Sequence, residues 1–393
     1  KTKVPELAQL HPSIQCAVQE IPVSDRYVFA LSGGLDSMAL LAFALPHLLK
    51  LYRPVIQILH VHHGLSDHAD QWQAHCQALC DQLGVELIAR KVILTHQKKG
   101  IEEAARSAHY EVFEQLLTDD AVLLQGHHQN DQAETVLLRL MRGAGAKGIA
   151  SIPSRRALNE AWIDRPFLSV PRSVLLETAN DVHLEWIEDE SNSSLDFDRN
   201  YLRHEIVPKL EARWKGAVGR LATSAAHCRE SAALEDALAE IDLTNVRQGG
   251  VNDGLSIESL NALPVIRQRN VVRYWLQQQG VGFPGEKNFK RIWTELLEAR
   301  DDANPVIAWS QGCIRRYQGV VFALTLHETA HQNTAMTEII VDASKVTVES
   351  GVFYQSDLAG KCYSLGVVHC QAHSHLMESQ EQEGCLRLPL KGE

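Results

Sequence analysis

The chain has 393 residues, too many for one ordinary domain, so two or three are expected. It is 45% hydrophobic and 22% charged, as in a folded soluble protein, and no stretch approaches the ~20 apolar residues that a membrane helix needs. The formal charge of −11 argues against indiscriminate nucleic-acid binding.

In chain order, Lys1 to Ile21 lacks the apolar block of a secretory signal, and the start without Met leads us to expect missing leading residues. Tyr27–Leu31 is a short apolar strand, followed by a glycine-rich turn and a helix from Ser37 to Leu49. Val55–Val61 is the second strand, and Asp67 is expected to cap a helix running to about Leu83. Val85–Leu94, a helix over Gly100–Leu117 and the strand Ala121–Gln125 follow. Asn130 or Asp131 is expected to cap a helix to about Met141, and a last strand lies near Trp162–Phe167. This alternation predicts an α/β fold with a doubly wound, mostly parallel sheet. After about residue 220 come helices over Ala222–Ile241, Leu263–Gln279 and Glu286–Arg300, then a hairpin of Val306–Trp309 with Cys313–Leu324. Residues 331–393 are richer in Val, Thr, Ser and Gly and predict a small β-containing domain.

Three polar loops close the first, second and fourth strands. Ser32-Gly33-Gly34-Leu35-Asp36-Ser37 links strand to helix, where glycines admit a phosphate and the new helix offers free amides. It lacks the lysine of the GxxxxGK[ST] loop, which suits pyrophosphate release better than γ-phosphoryl transfer. The others are His60-Val61-His62-His63-Gly64-Leu65 and the run from Gln125 to Thr135. In open parallel sheets, ligands bind at this edge. Here the histidines either orient loops and bond nucleotide, or His62, His63, His127 and His128 form a metal site. Gly143 to Gly148 matches GxGxxG but follows a helix, so it reads as a basic RNA-touching loop rather than a dinucleotide site. Eight scattered cysteines without a CxxC pair predict packed thiols in a reducing compartment, hence a cytoplasmic protein.

SGGLDS, HVHHGL and GHHQNDQAET together resemble the ATP-pyrophosphatase, or PP-loop, group. Arg142–Gly145, Arg165–Leu168, Trp186–Asn192 and Asp198–Arg203 are further similar to one branch, the tRNA(Ile)-lysidine synthetase family. The resemblance covers most of residues 26–215 and implies a catalytic domain over 1–215, a helical tRNA-binding domain over 216–328 and a small β-containing domain over 329–393, whose end is expected to be incomplete. It implies that ATP adenylates the C2 oxygen of the wobble cytidine in a CAU-anticodon tRNA(Ile), and that L-lysine then displaces AMP. Under this resemblance, Ser32, Gly33, Gly34, Leu35, Asp36 and Ser37 hold ATP phosphates with His60 and His62 nearby, and Asp36 places Mg²⁺ or caps its helix. Asp131 is the candidate catalytic carboxylate, or a helix cap. Arg106, one turn before Tyr110, matches a family arginine near lysine or RNA, with a surface ion pair as the alternative. Arg199 and Arg203 share a face toward the anticodon stem or the cytidine's phosphate, and Glu188 and Asp189 recognise substrate amino groups or lie in a solvated loop. Asn130 stands where many members have Asp, and His109 where Arg is common. A homodimer stays open. A tRNA thiolase, an amidotransferase-type ligase and a non-catalytic RNA-binding module are the competing readings; the first two lack a delivering cysteine or a glutaminase signature.

Overall fold

The computed structural model describes residues 5–51, 54–62, 64, 68–92, 101–117, 120–188, 194–248, 254–300, 303, 305–325 and the strands within 339–341, 351–356, 362–368 and 384–386. Two compact units divide at Ala232/Ala233.

In the first unit, α1 (Pro12–Gln19) precedes β1 (Arg26–Ala30), α2 (Leu35–Leu51), β2 (Val55–His62), α3 (Ala69–Leu83), β3 (Glu86–Lys91), α4 (Ile101–Leu116) and β4 (Val122–Leu124). There follow α5 (Gln129–Met141), α6 (Ala146–Ile149), β5 (Arg155–Leu158), β6 (Ala161–Asp164), α7 (Arg172–Asp181), α8 (Asp198–Tyr201), α9 (Val207–Arg213) and α10 (Ala217–Val246), in which the unit boundary falls. The sheet order is β3-β2-β1-β4-β6-β5, parallel except for the β5–β6 pair. Strand order therefore reverses between β1 and β4. One sheet face packs on α1, α2, α3 and α7 through Phe29, Met38, Phe43, Leu79 and Phe167, and the other on α4 through Leu123, Val112, Phe113 and Ile163. Burial on both faces explains the near-continuous apolar runs of β1 and β4.

Several boundaries correct the sequence reading. The antiparallel strand β5 went unnoticed because its Arg155-Arg156-Ala157 is exposed at the sheet edge, where no apolar run is needed. Phe167 lies in a 3-10 turn, Pro166–Ser169, rather than in the strand. The helix α3 starts after His68, which makes no side-chain cap, and Asp67 lies outside the described residues. Neither Asn130 nor Asp131 caps α5: the N-cap is His128.

The second unit has a five-stranded antiparallel sheet in the order β7 (Arg247–Gln248), β8 (Gly254–Ser256), β11 (Val320–Thr325), β10 (Gly312–Tyr317), β9 (Val306–Trp309). With α11 (Ile257–Asn261), α12 (Val265–Gln278) and α13 (Gly285–Arg291), it encloses a core around Trp275, Phe289 and Ile314. The segment read as one limb, Cys313–Leu324, is two strands, because Gln318 and Gly319 take positive φ values of 45° and 76° and turn the chain. A further four-stranded antiparallel sheet, β12 (Ile339–Val341), β15 (Gly384–Leu386), β13 (Gly351–Ser356) and β14 (Cys362–Val368), supplies the C-terminal β structure.

Candidate active site

The loop after β1 folds back on itself. Ser32 N–H donates to Ser37 Oγ (3.1 Å), Ser37 Oγ–H donates to Gly34 O (3.0 Å), and the two hydroxyl oxygens lie 3.0 Å apart. Gly33 has φ +90°, which only glycine adopts without strain, and its carbonyl accepts from Ile187 N–H (2.9 Å). Since α2 begins at Leu35, its first-turn amides have no preceding carbonyl and present a positive dipole end to the turn. His60 Nδ1–H donates to Leu31 O (2.8 Å) and so anchors the end of β1. His62 Nε2–H instead meets Asp70 (3.1 Å), which Lys91 also holds.

The third loop closes directly on the first. A Cβ on Gly126 would lie 2.7 Å from the Asp36 carbonyl oxygen and 3.0 Å from Ser37 N, so glycine is required where these two backbones meet. His128, fully buried, then joins the acids: Asp131 N–H donates to its Nδ1 (3.3 Å), His128 N–H donates to Asp131 Oδ2 (3.0 Å), and Nε2 stands 3.4 Å from Asp36 Oδ2. A histidine capping box is outside the usual Ser/Thr/Asp/Asn set, which is why the sequence placed the cap later. Burial works against a charge on His128, but Asp131 and Asp36 outweigh it and raise its pKa. Burial likewise opposes ionisation of Asp131, yet His128, His127, Arg199 and the His128 amide hold it below the usual carboxylate range.

Arg203 reaches Asp131 Oδ1 (3.2 Å) and forks onto Glu134 (2.7 and 3.0 Å), while Arg199 meets Glu134 at 3.2 Å and donates to Thr135 Oγ1 (2.9 Å). Arg203 rides a π-helical segment, Leu202–Ile206. Pro208 explains it: proline has no N–H, and its ring disfavours an ordinary turn below it.

Asp36, Asp131, Arg199 and Arg203 thus converge with the Ser32–Ser37 turn, whereas Arg106 stands at the α4 side over the Tyr110 ring (5.8 Å). Glu188 is at the end of a described segment; Asp189 lies outside the described residues. The sequence reading gave Glu134 and Gly126 no role, although both stand inside the quoted motif, and it named His128 only as a loop-orienting, nucleotide-bonding or metal-binding histidine; burial and close backbone approach, invisible in sequence, mark the first two. Among the described residues no group of three or more His, Cys, Asp or Glu could hold a metal, so the histidine metal site finds no support there, and His63 lies outside them. Asp36 Oδ1 is buried without a hydrogen-bond partner, its nearest cation being Arg172 Nε at 3.7 Å, so the carboxylate has an oxygen free to help a cation that nucleotide phosphates bring.

A serine- and glycine-lined turn at a parallel sheet's switch point, with an acid on its helix, defines a PP-loop nucleotide-binding domain, and residues 8–210 match the PP-loop domain family. Residues 255–322 match the TilS substrate binding domain. The chain is 39% identical over 308 residues to the tRNA(Ile)-lysidine synthase of Coxiella burnetii, covering 77% of this chain and 68% of that protein. It is 40% identical to that of Legionella pneumophila strain Lens (76% and 68%) and 42% to that of Pseudomonas aeruginosa (75% and 68%). The chain belongs to the tRNA(Ile)-lysidine synthase family.

Proposed function

We propose that the chain joins L-lysine to C2 of the wobble cytidine of a CAU-anticodon tRNA(Ile), using ATP and releasing AMP and pyrophosphate. The observation that carries it is the convergence of the phosphate-binding turn and Asp131 through Gly126 and His128, in a chain matching the relatives' named enzyme over both of its matched regions. The cytidine oxygen attacks the α-phosphorus and pyrophosphate leaves; the lysine ammonium gives up a proton to water, its free amine adds at C2, and AMP departs with the C–O bond's electron pair. Turn amides and serine hydroxyls stabilise the charge that develops on the phosphates. Mg²⁺, held by Asp36 with the phosphates, would offset charge on pyrophosphate.

Asp131 is held ionised by its neighbours, and a carboxylate of depressed pKa is a weak base. Its main contribution is therefore to draw in and orient the lysine ammonium, with Glu134 fixing Arg199 and Arg203 beside it. Residues 1–215 form the catalytic domain in this reading, and 216–328 with 329–393 serve tRNA binding. Cys16, Cys76, Cys80, Cys228 and Cys313 are free thiols, in keeping with work in the cytoplasm. Among the described residues no helix is long and apolar enough to cross a membrane.

Incubation with ATP and unmodified tRNA, with and without lysine, tests the proposal. Lysidine should form only when lysine is present. Pyrophosphate release without lysidine in the complete mixture points to another ligase, and no pyrophosphate at all to a binding module.

A further inference from the structure

The dipeptide His127-His128 faces two neighbourhoods. Its backbone is extended at His128 (φ −126°, ψ 179°), so adjacent side chains leave in opposite directions. His128 goes to Asp36 and the phosphate turn, whereas His127, which shares Asp131 and Arg199 with that cluster, also feels Arg165 and Arg106 of the α4 side. There Arg165, only 3% exposed, donates to Pro153 O (2.9 Å) and Tyr110 Oη (3.4 Å), and its Nε has no partner. His127 Nδ1 is likewise buried and unpartnered. Arg156 lies over the Tyr110 ring at 4.7 Å and Arg106 at 5.8 Å. Among the described residues none of Arg106, Arg156 and Arg165 has an ion-pair partner. Burial pushes the adjacent Asp164 up to about 6, despite Arg155 and Arg165, so near pH 7 it keeps most of its charge and offsets Arg165 in part.

One buried guanidinium with no ion-pair partner, flanked by two exposed arginines and beside an unpartnered ring nitrogen, forms an incomplete site that an anion completes. We propose that Arg165, Arg156 and Arg106 around Tyr110, with His127 Nδ1, bind the phosphodiester of the reacting nucleotide itself. This rests on the function proposed above. The choice follows from placement: ATP phosphates have their own cradle on the His128 side, and the nucleotide to be adenylated must enter from the other.

The test measures binding of a CAU anticodon stem-loop RNA by fluorescence anisotropy. Arg106 and Arg156 are exposed, so R106Q/R156Q should fold normally. Its affinity should fall at least tenfold, and the slope of log K against log salt should flatten by about 0.7 per lost phosphate contact. A neutral methylphosphonate 5′ to the target cytidine should cost the unaltered protein a similar factor and the double variant little more. Binding of a non-hydrolysable ATP analogue should not change. The pocket is refuted if RNA affinity and salt slope stay put, if the ATP analogue loses affinity equally, or if only the KM for lysine rises. Lysidine formation by the unaltered protein is scored separately. RNA that binds but is never converted overturns the proposed function alone, while unchanged variants of a converting enzyme overturn the pocket alone.

Discussion

Asp131 and His127 sit a turn apart, yet burial acts on them with different outcomes. Asp131 is surrounded by cationic and donor groups, so Asp131→Asn keeps the shape but removes the charge that orients the amine. Turnover should fall by a factor on the order of 100 or more, with the helical circular dichroism unchanged. Near-full turnover in a folded variant would remove Asp131 from the chemistry. Burial lowers the His127 pKa from 6.5 to about 4, chiefly by desolvation. The folded state thus resists a proton that the unfolded chain accepts, so this group's stabilising effect is intact above pH 6.5 and shrinks as pH falls toward 4. His128 has the opposite sign: its raised pKa contributes stability below the unfolded value, which is lost as pH rises through the folded one. H127Q should therefore lose less urea resistance than the unaltered protein between pH 7 and pH 5; parallel losses would exclude His127 as an acid-sensitive group. Asp36 and Asp131 stand in motifs whose residue types mark the ligand edge of the sheet, whereas Arg199 and Arg203, expected toward the anticodon stem or the cytidine's phosphate, are set against Glu134 and Asp131 in the structure. Glu134 was not legible in sequence, since an acid on a helix reads as solvated until the fold buries it at 1% exposure and sets two arginines against it.

At the level of elements, two local rules shape the site. The α5 start is made by His128 rather than a hydroxyl or acid, so capping statistics misplaced it by two or three residues while the helix end at Met141 was read correctly. The β4–α5 connection must approach the backbone at Asp36, and Gly126→Val puts branched carbon where only 2.7 Å is open. Such overpacking costs about 1–3 kcal/mol and should push the two loops apart. Pyrophosphate release should drop more than thermal stability, a ratio measurable by activity alongside a melting curve. Equal loss of both would mean the contact only holds the fold. Pro208→Ala tests the π-helical turn. Restoring an N–H permits ordinary helical bonding, which rotates Arg203 away from Asp131 and Glu134. Stability should hold or rise while turnover falls; unchanged turnover would show that Arg203 does not depend on that turn.

Across the whole molecule, the negative formal charge makes RNA contact a matter of clustered arginines, so affinity for tRNA should weaken steeply between 50 and 200 mM salt. A flat response would argue that shape alone governs binding. The alternating first half announced its sheet through apolar strands, whereas the second unit's five-stranded sheet was half hidden: its two-residue β7 and three-residue β8 are too short to show a period. The extended step between the paired imidazoles carries a consequence for evolution and design. Because neighbours in such a backbone alternate sides, the count of residues from Gly126 to the start of α5 is part of the reading frame of the chemistry. One glycine inserted between His127 and His128 would keep every functional group in the chain, leave His128 on its cap and still turn His127 out of its present compartment. Length there is as constrained as identity.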